Sequence, residues 1–160
     1  MPDVYVAAGS NIDPAARLKQ ALAALKQHYG PITVSHAYQN KAVGFEGEDF
    51  INLVVRFATS EPIDQVLSVL HKIEEACGRP RNAPKWAPRA MDLDVLLYGD
   101  KVGTFPGVTL PRPDLVNRPY MLGPIAEIAP DWVHPTLHKT MQQLWAEFDR
   151  QGHGMEVVEL

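Results

Sequence analysis

Two stretches with apolar residues at helical spacing, each flanked by strand-like runs, constrain the fold of this chain more than any other feature. Val4 to Ala8 reads as a first strand, ended by the turn residues Gly9-Ser10-Asn11. Leu18, Leu22, Leu25 and Tyr29 then recur at helical spacing, and Gly30-Pro31 stops that helix. Ile32 to Tyr38 and Phe50 to Phe57 are strand-like and are separated by a polar, glycine-containing loop. A second helix over about Ser60 to Cys77 places Ile63, Val66, Leu67, Leu70 and Ile73 on one face, with Gly78 as its C-terminal cap. Leu93 to Tyr98 is a further strand, and beyond it proline-rich loops alternate with two short helices, around Tyr120 to Ile128 and Leu137 to Phe148. The order strand-helix-strand-strand-helix-strand predicts a ferredoxin-like α+β domain with a mostly antiparallel sheet and helices packed on it. At 160 residues and 46% hydrophobic the chain is long enough for one sizeable core and too short for two, so residues 1–160 are expected to form one domain. No internal repeat, low-complexity tract or linker interrupts it.

Charge and cysteine usage exclude several classes. The formal net charge of -4 argues against a general nucleic-acid binder, which needs a dense cationic surface to release counterions. An anionic ligand must therefore be met by locally clustered charge. Cys77, the single cysteine, rules out an intramolecular disulfide and lies on the apolar side of the second helix, where an inert buried thiol is expected. No apolar run has the length of a bilayer span, and Met1-Pro2-Asp3 does not open a cationic, then apolar, leader, so a cytoplasmic location with no membrane partner is expected.

Two loops are long for so compact a pattern, Gln39 to Asp49 and Arg79 to Met91, and loops of that length are commonly functional. The second carries Arg79, Arg81, Lys85, Trp86 and Arg89 with no acid, a composition suited to closing over an anion. It leads into Asp92 and Asp94 at the mouth of the apolar run Val95 to Tyr98. On a strand these two carboxylates share a face roughly 7 Å apart. They repel one another unless a cation lies between or above them, and Mg²⁺ accepts carboxylate oxygens while keeping waters and substrate phosphates as its other ligands. The pair thus suits one or two magnesium ions carrying a polyphosphate, although an Asp-x-Asp also occurs as an ordinary solvated strand end. No Gly-x-x-x-x-Gly-Lys-[Ser/Thr] loop or kinase signature is present, and Gly9-Ser10-Asn11 reads as an ordinary strand-to-helix turn. The six histidines are scattered. His134 and His138 alone approach metal-ligand spacing, but they flank Pro135, so all are read as surface or structural residues except His71, one helical turn before Glu74. Glu74-Glu75 itself reads as a solvated helix end.

The segment from Trp86 to Gly99, WAPRAMDLDVLLYG, resembles the signature of the 6-hydroxymethyl-7,8-dihydropterin pyrophosphokinases of folate biosynthesis. The similarity extends to Val6 to Asn11, Ser35 with Tyr38, Phe50-Ile51-Asn52, Ile73-Glu74, Gly78 to Arg81, Leu110-Pro111, Asn117 to Leu122 and Ile128 to Pro130. It implies a three-layer α/β/α domain of ferredoxin-like type that transfers the β,γ-pyrophosphoryl unit of ATP to the pterin hydroxymethyl group and releases AMP. By the same resemblance Asp92 and Asp94 hold two Mg²⁺ ions, Arg81 and Arg89 contact the phosphates, and Trp86 closes over the site. Phe50 and Tyr120 match the aromatics that sandwich the pterin, and Asn52 matches a hydrogen-bonding partner of its edge. The loop with Val43 and Gly44 supplies backbone contacts to it. His71, Glu74, Val95, Thr109, Arg112 and Arg118 fall at positions lining the ATP site, and a monomer is expected. Such roles agree with the chemistry: a flat polar bicycle needs aromatic faces and a hydrogen-bonding edge, and in-line phosphoryl transfer needs positioning and charge stabilisation. Asp92 is also placed to accept the hydroxymethyl proton.

The chain departs from the family pattern at three places. Arg112 and Pro113 follow Leu110-Pro111 where a histidine is usual, Gly107 stands where an arginine is common, and Asn40 to Gly44 replaces a Thr-x-Pro-like stretch. Arg112 is a suitable substitute cation, being a bidentate phosphate ligand. Other Mg²⁺-dependent phosphate enzymes fit the motif order less well. A nucleotidyltransferase keeps Gly-Ser close to its Asp-x-Asp, and a haloacid-dehalogenase-like phosphatase places its strand before the acids. The alternative from another class is a diverged paralogue that binds pterin or nucleotide with little or no turnover.

Overall fold

A computed structural model describes residues 1–40, 50–78, 91–148 and 156–160. Its elements are β1 (Asp3–Ser10), α1 (Pro14–Tyr29), β2 (Thr33–Val34), β3 (Ala37–Asn40), β4 (Phe50–Ala58), α2 (Ile63–Ala76), β5 (Asp92–Tyr98), β6 (Gly103–Phe105), β7 (Val108–Leu110), α3 (Pro119–Ile128), α4 (Met141–Glu147) and β8 (Glu156–Val158), with a 3-10 helix at Pro113–Val116. The main sheet runs β5-β1-β4-β3-β8 with β2 also on β4, and its pairs are antiparallel. Alternation along the central strands separates two cores. Val4, Val6 and Ala8 of β1, with Leu53, Val55 and Phe57 of β4, face Leu18 and Leu25 of α1 and Val66 and Leu70 of α2. Tyr5, Ala7 and Val54 point the other way, onto Leu122, Ile125 and Met141 of α3 and α4. The result is the expected three-layer α/β/α arrangement.

Two departures from simple alternation shape the site. The expected strand Ile32 to Tyr38 is broken into β2 and β3, because Ser35 takes over the ladder. Its amide donates to the Val54 carbonyl at 2.9 Å, and its hydroxyl accepts the Val54 amide at 2.9 Å. The register shifts by one residue between Val34↔Val55 and Tyr38↔Asn52, the signature of a bulge. A second bulge shifts β5 against β1 between Tyr5 and Val6, so that both Leu96 and Leu97 join the core beneath α3.

Other boundaries have local causes. α2 begins at Ile63 rather than Ser60 because Pro62 is its N-cap, and a residue before proline disfavours the helical region. Downstream of β5 the sequence reading contained no strand, whereas the structure has the β6-β7 hairpin and β8. The hairpin turns on Pro106-Gly107, and Gly107 has φ 89°. The glycine at this position of departure is thus explained, since a proline followed by a residue of positive φ suits a tight turn that an arginine fits poorly. α4 starts at Met141, later than the expected Leu137, because residues 134–139 form a tight loop and Thr140 caps the helix in a capping box with Gln143.

That loop is organised by His134, which is buried and structural, as the sequence reading expected. Its Nδ1 accepts from the amides of Thr136 and Leu137, each at 3.2 Å, which requires a neutral ring. Burial, followed by the charge of His138, holds its pKa below the ordinary 6.5. The unfolded chain therefore takes up this proton before the folded one does. The stability His134 contributes is complete above about pH 6.5 and is lost as pH falls through that value toward the lower folded pKa. Thermal melts at pH 7.5 and pH 5 should show a fall in Tm that is smaller in His134→Asn. An equal fall in both proteins would remove His134 as its source.

Candidate active site

Strand pairing brings four residues into one row across the sheet. Asp92 of β5 pairs with Gly9 of β1, Gly9 with Asn52 of β4, and Asn52 with Tyr38 of β3. The row lies on the face covered by α3, because Val54, two residues from Asn52, belongs to that core. Asp94 stands on the same face beside Ala7, and both aspartates are half-buried while Leu93 and Val95 between and after them are buried. The shared face expected for the two carboxylates is therefore present.

Gly9 has a steric role in the row. A Cβ at this position would lie 2.4 Å from Asn52 Oδ1, so the Asn52 side chain occupies the space that the glycine leaves. Asn52 is buried, and Phe50, two residues before it on the same face, is half-buried at the sheet end. Tyr120 stands above this face in the first turn of α3, where Pro119 is the N1 residue. Burial, above all, raises the Tyr120 pKa. The charges of Arg118 and Arg112 oppose that rise while those of Asp114 and Asp94 add to it, so the phenol lies within the field of four charged side chains.

Among the described residues, Arg112 reaches Asp94. Its Nη1 is 3.7 Å from Asp94 Oδ1, and its amide donates to the Leu96 carbonyl at 2.9 Å, which ties the segment after β7 to the edge strand. Its Nε is buried and finds no hydrogen-bond partner among the described residues, so part of the guanidinium is desolvated without compensation. Arg118 is exposed at the N-cap of α3.

The opposite flank of β5 holds the other candidates. Glu74 is not the solvated helix end that sequence suggested: it is buried, and its Oε2 accepts the Leu93 amide at 2.9 Å. The reason is that β5 is the last strand of the sheet, so its outer amides need a partner and α2 supplies one. Glu75 and His71 are exposed on α2. The Val95 side chain is buried in the core with α1 and α2, which leaves its backbone as the part on the sheet edge. Thr109 is exposed in β7, opposite Thr104. Cys77 is buried, and burial raises its thiol pKa, in keeping with an inert thiol. Val43, Gly44, Arg81, Trp86 and Arg89 lie outside the described residues. Among the described residues no three metal-ligating side chains converge, so the aspartates stand as a pair of hard oxygen donors.

Sequence reading missed Glu127. Its carboxylate accepts the Tyr38 hydroxyl at 2.6 Å and the His36 amide at 2.9 Å, and also meets His36 Nδ1 at 2.9 Å. Burial, then Glu127, push the Tyr38 phenol well above its ordinary range, so it remains a donor. A signal was available, since Glu127 is the one charged residue of the apolar segment PYMLGPIAEI.

Comparison with known proteins agrees with this arrangement. Residues 5–130 match the family described as 7,8-dihydro-6-hydroxymethylpterin-pyrophosphokinase. A 2-amino-4-hydroxy-6-hydroxymethyldihydropteridine pyrophosphokinase of Synechocystis is 39% identical over 148 residues, covering 90% of this chain and 75% of that protein. One of Aquifex aeolicus is 33% identical over 149 residues, covering 92% of each. The fold is shared with the Plasmodium falciparum HPPK-DHPS crystal structure, at TM-score 0.69 and 14% identity over 92% of this chain, which spans only 43% of that longer one. No helix among the described residues is long and apolar enough to cross a membrane. With a match spanning most of its length, from β1 to the end of α3, the chain belongs to the 7,8-dihydro-6-hydroxymethylpterin-pyrophosphokinase family.

Proposed function

We propose that Asp92 and Asp94 hold two Mg²⁺ ions in the reaction of this family, the transfer of pyrophosphate from ATP to the hydroxymethyl group of 6-hydroxymethyl-7,8-dihydropterin with release of AMP. The observation that carries this reading is the row Asp92-Gly9-Asn52-Tyr38, which sets a carboxylate and a buried amide on one face beneath Tyr120 with only Gly9 between them. Two half-buried carboxylates with no third protein ligand among the described residues fit magnesium, which commonly takes one or two carboxylates and completes its shell with waters and phosphates. When bound, such ions offset the charge on the phosphates.

Chain residues supply the rest. Phe50 and Tyr120 stack on the two faces of the pterin, and Asn52 bonds its polar edge, with backbone contacts from Val43 and Gly44. Arg112 and Arg118, with Arg81 and Arg89, bind the phosphates, and Trp86 excludes water above them. Glu74, His71, Thr109 and the backbone of Val95 hold the nucleotide along the outer edge of β5. The substrate hydroxyl oxygen bonds to the β-phosphorus as the bridge to the α-phosphate breaks, AMP departs, and Asp92 accepts the hydroxyl proton. Residues 1–160 act as one domain, a cytoplasmic monomer, in tetrahydrofolate biosynthesis. No observation favours the binding-only paralogue.

Product analysis tests the reading. Purified protein with ATP, Mg²⁺ and 6-hydroxymethyl-7,8-dihydropterin is expected to form AMP only when the pterin is present. Formation of ADP, or of AMP without pterin, would refute it.

A further inference from the structure

The Glu127 carboxylate joins two parts of the molecule that the proposed pterin pocket needs at a fixed separation. It lies in the last turn of α3, the helix whose first turn carries Tyr120. Among the described residues its polar contacts go to β3 and the bulge before it: the Tyr38 hydroxyl at 2.6 Å, the His36 amide at 2.9 Å and His36 Nδ1 at 2.9 Å. Tyr38 is the direct cross-strand neighbour of Asn52, and β4 also carries Phe50. β3 ends at Asn40, from which the chain continues into the segment with Val43 and Gly44. One side chain therefore couples the Tyr120 wall to the Phe50 and Asn52 wall.

The remainder of α3 holds to the sheet through apolar contacts, with Met121, Leu122 and Ile125 buried. Such packing is non-directional and tolerates small slides of a helix over a sheet. A charge-assisted bond from a phenol and a second from a backbone amide are directional, and they pin α3 along the strand direction. The bulge at Ser35 is what turns the His36 amide outward to Glu127 instead of into the ladder, so the break in the strand and the clamp are one device.

We propose that Glu127 is a positioning residue: acting through Tyr38 and His36, it sets the gap between Tyr120 and the Phe50-Asn52 wall and thereby controls affinity for the pterin far more than for the nucleotide. This rests on the reading of Phe50, Asn52 and Tyr120 as the pterin pocket. Of the residues proposed for the nucleotide, His71 and Glu74 stand on α2, Val95 on β5 and Thr109 on β7, away from the clamp; Arg118, at the N-cap of α3, rides on the clamped helix but contacts only the phosphates.

Steady-state constants for both substrates in Glu127→Ala, Tyr38→Phe and their double variant test the proposal, with Asn52→Ala as reference. A pocket wall displaced by a fraction of an ångström is expected to raise the pterin KM about tenfold in each single variant, with the ATP KM and kcat changed less than about twofold. The double variant should be no worse than Glu127→Ala, because the two side chains share one bond. Glu127→Gln, which keeps one acceptor, should recover part of the loss. Tyr38→Phe keeps the ring and the strand, so it remains informative if Glu127→Ala does not fold. A lowered Tm with an unchanged pterin KM would overturn the clamp, as would an equal rise in both KM values. Asn52→Ala separates the two ideas. If it raises the pterin KM while the clamp variants do not, the clamp alone fails. If it leaves the pterin KM unchanged, the pocket reading beneath it fails.

Discussion

Asp94→Ala is expected to lower kcat by roughly 10³-fold while leaving the fold intact. Asp94 is half-buried on the α3 face of β5, whose alternate residues Leu93 and Val95 are buried on the other face, and its side chain is not part of either core. The Arg112 pair it would lose spans 3.7 Å between partly exposed groups and contributes less than about 1 kcal/mol to stability. Loss of activity with an unchanged melting curve would place the residue in the chemistry. Weakened Mn²⁺ binding, followed by paramagnetic resonance with a nonhydrolysable nucleotide present, would assign the defect to metal retention. Unchanged turnover in Asp94→Ala would remove the metal-site proposal altogether.

Gly9→Ala should be nearly as damaging for a different reason. The added methyl carbon meets Asn52 Oδ1 at 2.4 Å, well inside van der Waals contact, so the amide must leave its position. Asn52 is buried between Gly9 and Tyr38 in the row, so the push turns its amide away from the face beneath Tyr120. Overpacking of this kind costs about 1–3 kcal/mol, which a calorimetric scan would register. Displacing the residue that bonds the pterin edge is expected to raise the pterin KM about 10²-fold while ATP binding stays near its original strength. A variant with normal pterin KM would show that Asn52 does not bind the substrate through the orientation seen here.

Much of this candidate site is legible in the sequence, and for identifiable reasons. Asp92 and Asp94 are separated by one residue on an apolar strand, so a period of two alone places both on one face. The cationic segment, the aromatics at positions 50 and 120 and the arginines at 112 and 118 sit in a motif order that resembled one family. The outline of the fold followed from helical spacing in α1 and α2 and alternation in β1 and β4. What escaped were features that depend on neighbours distant in sequence. Glu74 reads as a solvated acid until α2 is laid against an edge strand whose Leu93 amide needs an acceptor. Glu127 reads as an ordinary helical acid until β3 brings Tyr38 and the His36 amide to it from about ninety positions upstream.

By itself, then, the order of residues determined the helices α1 to α3, the strands β1, β4 and β5, the faces they bury and the side chains proposed for the chemistry, because spacing and hydropathy act over a few residues at a time. Only the tertiary structure decided the register that lines up Asp92, Gly9, Asn52 and Tyr38, the two bulges that re-aim Ser35 and Leu96, and the carboxylate that ties α3 to β3. Register and bulges are set by the packing of both sheet faces at once, and a buried polar group finds its partner only when the chain has brought distant segments together.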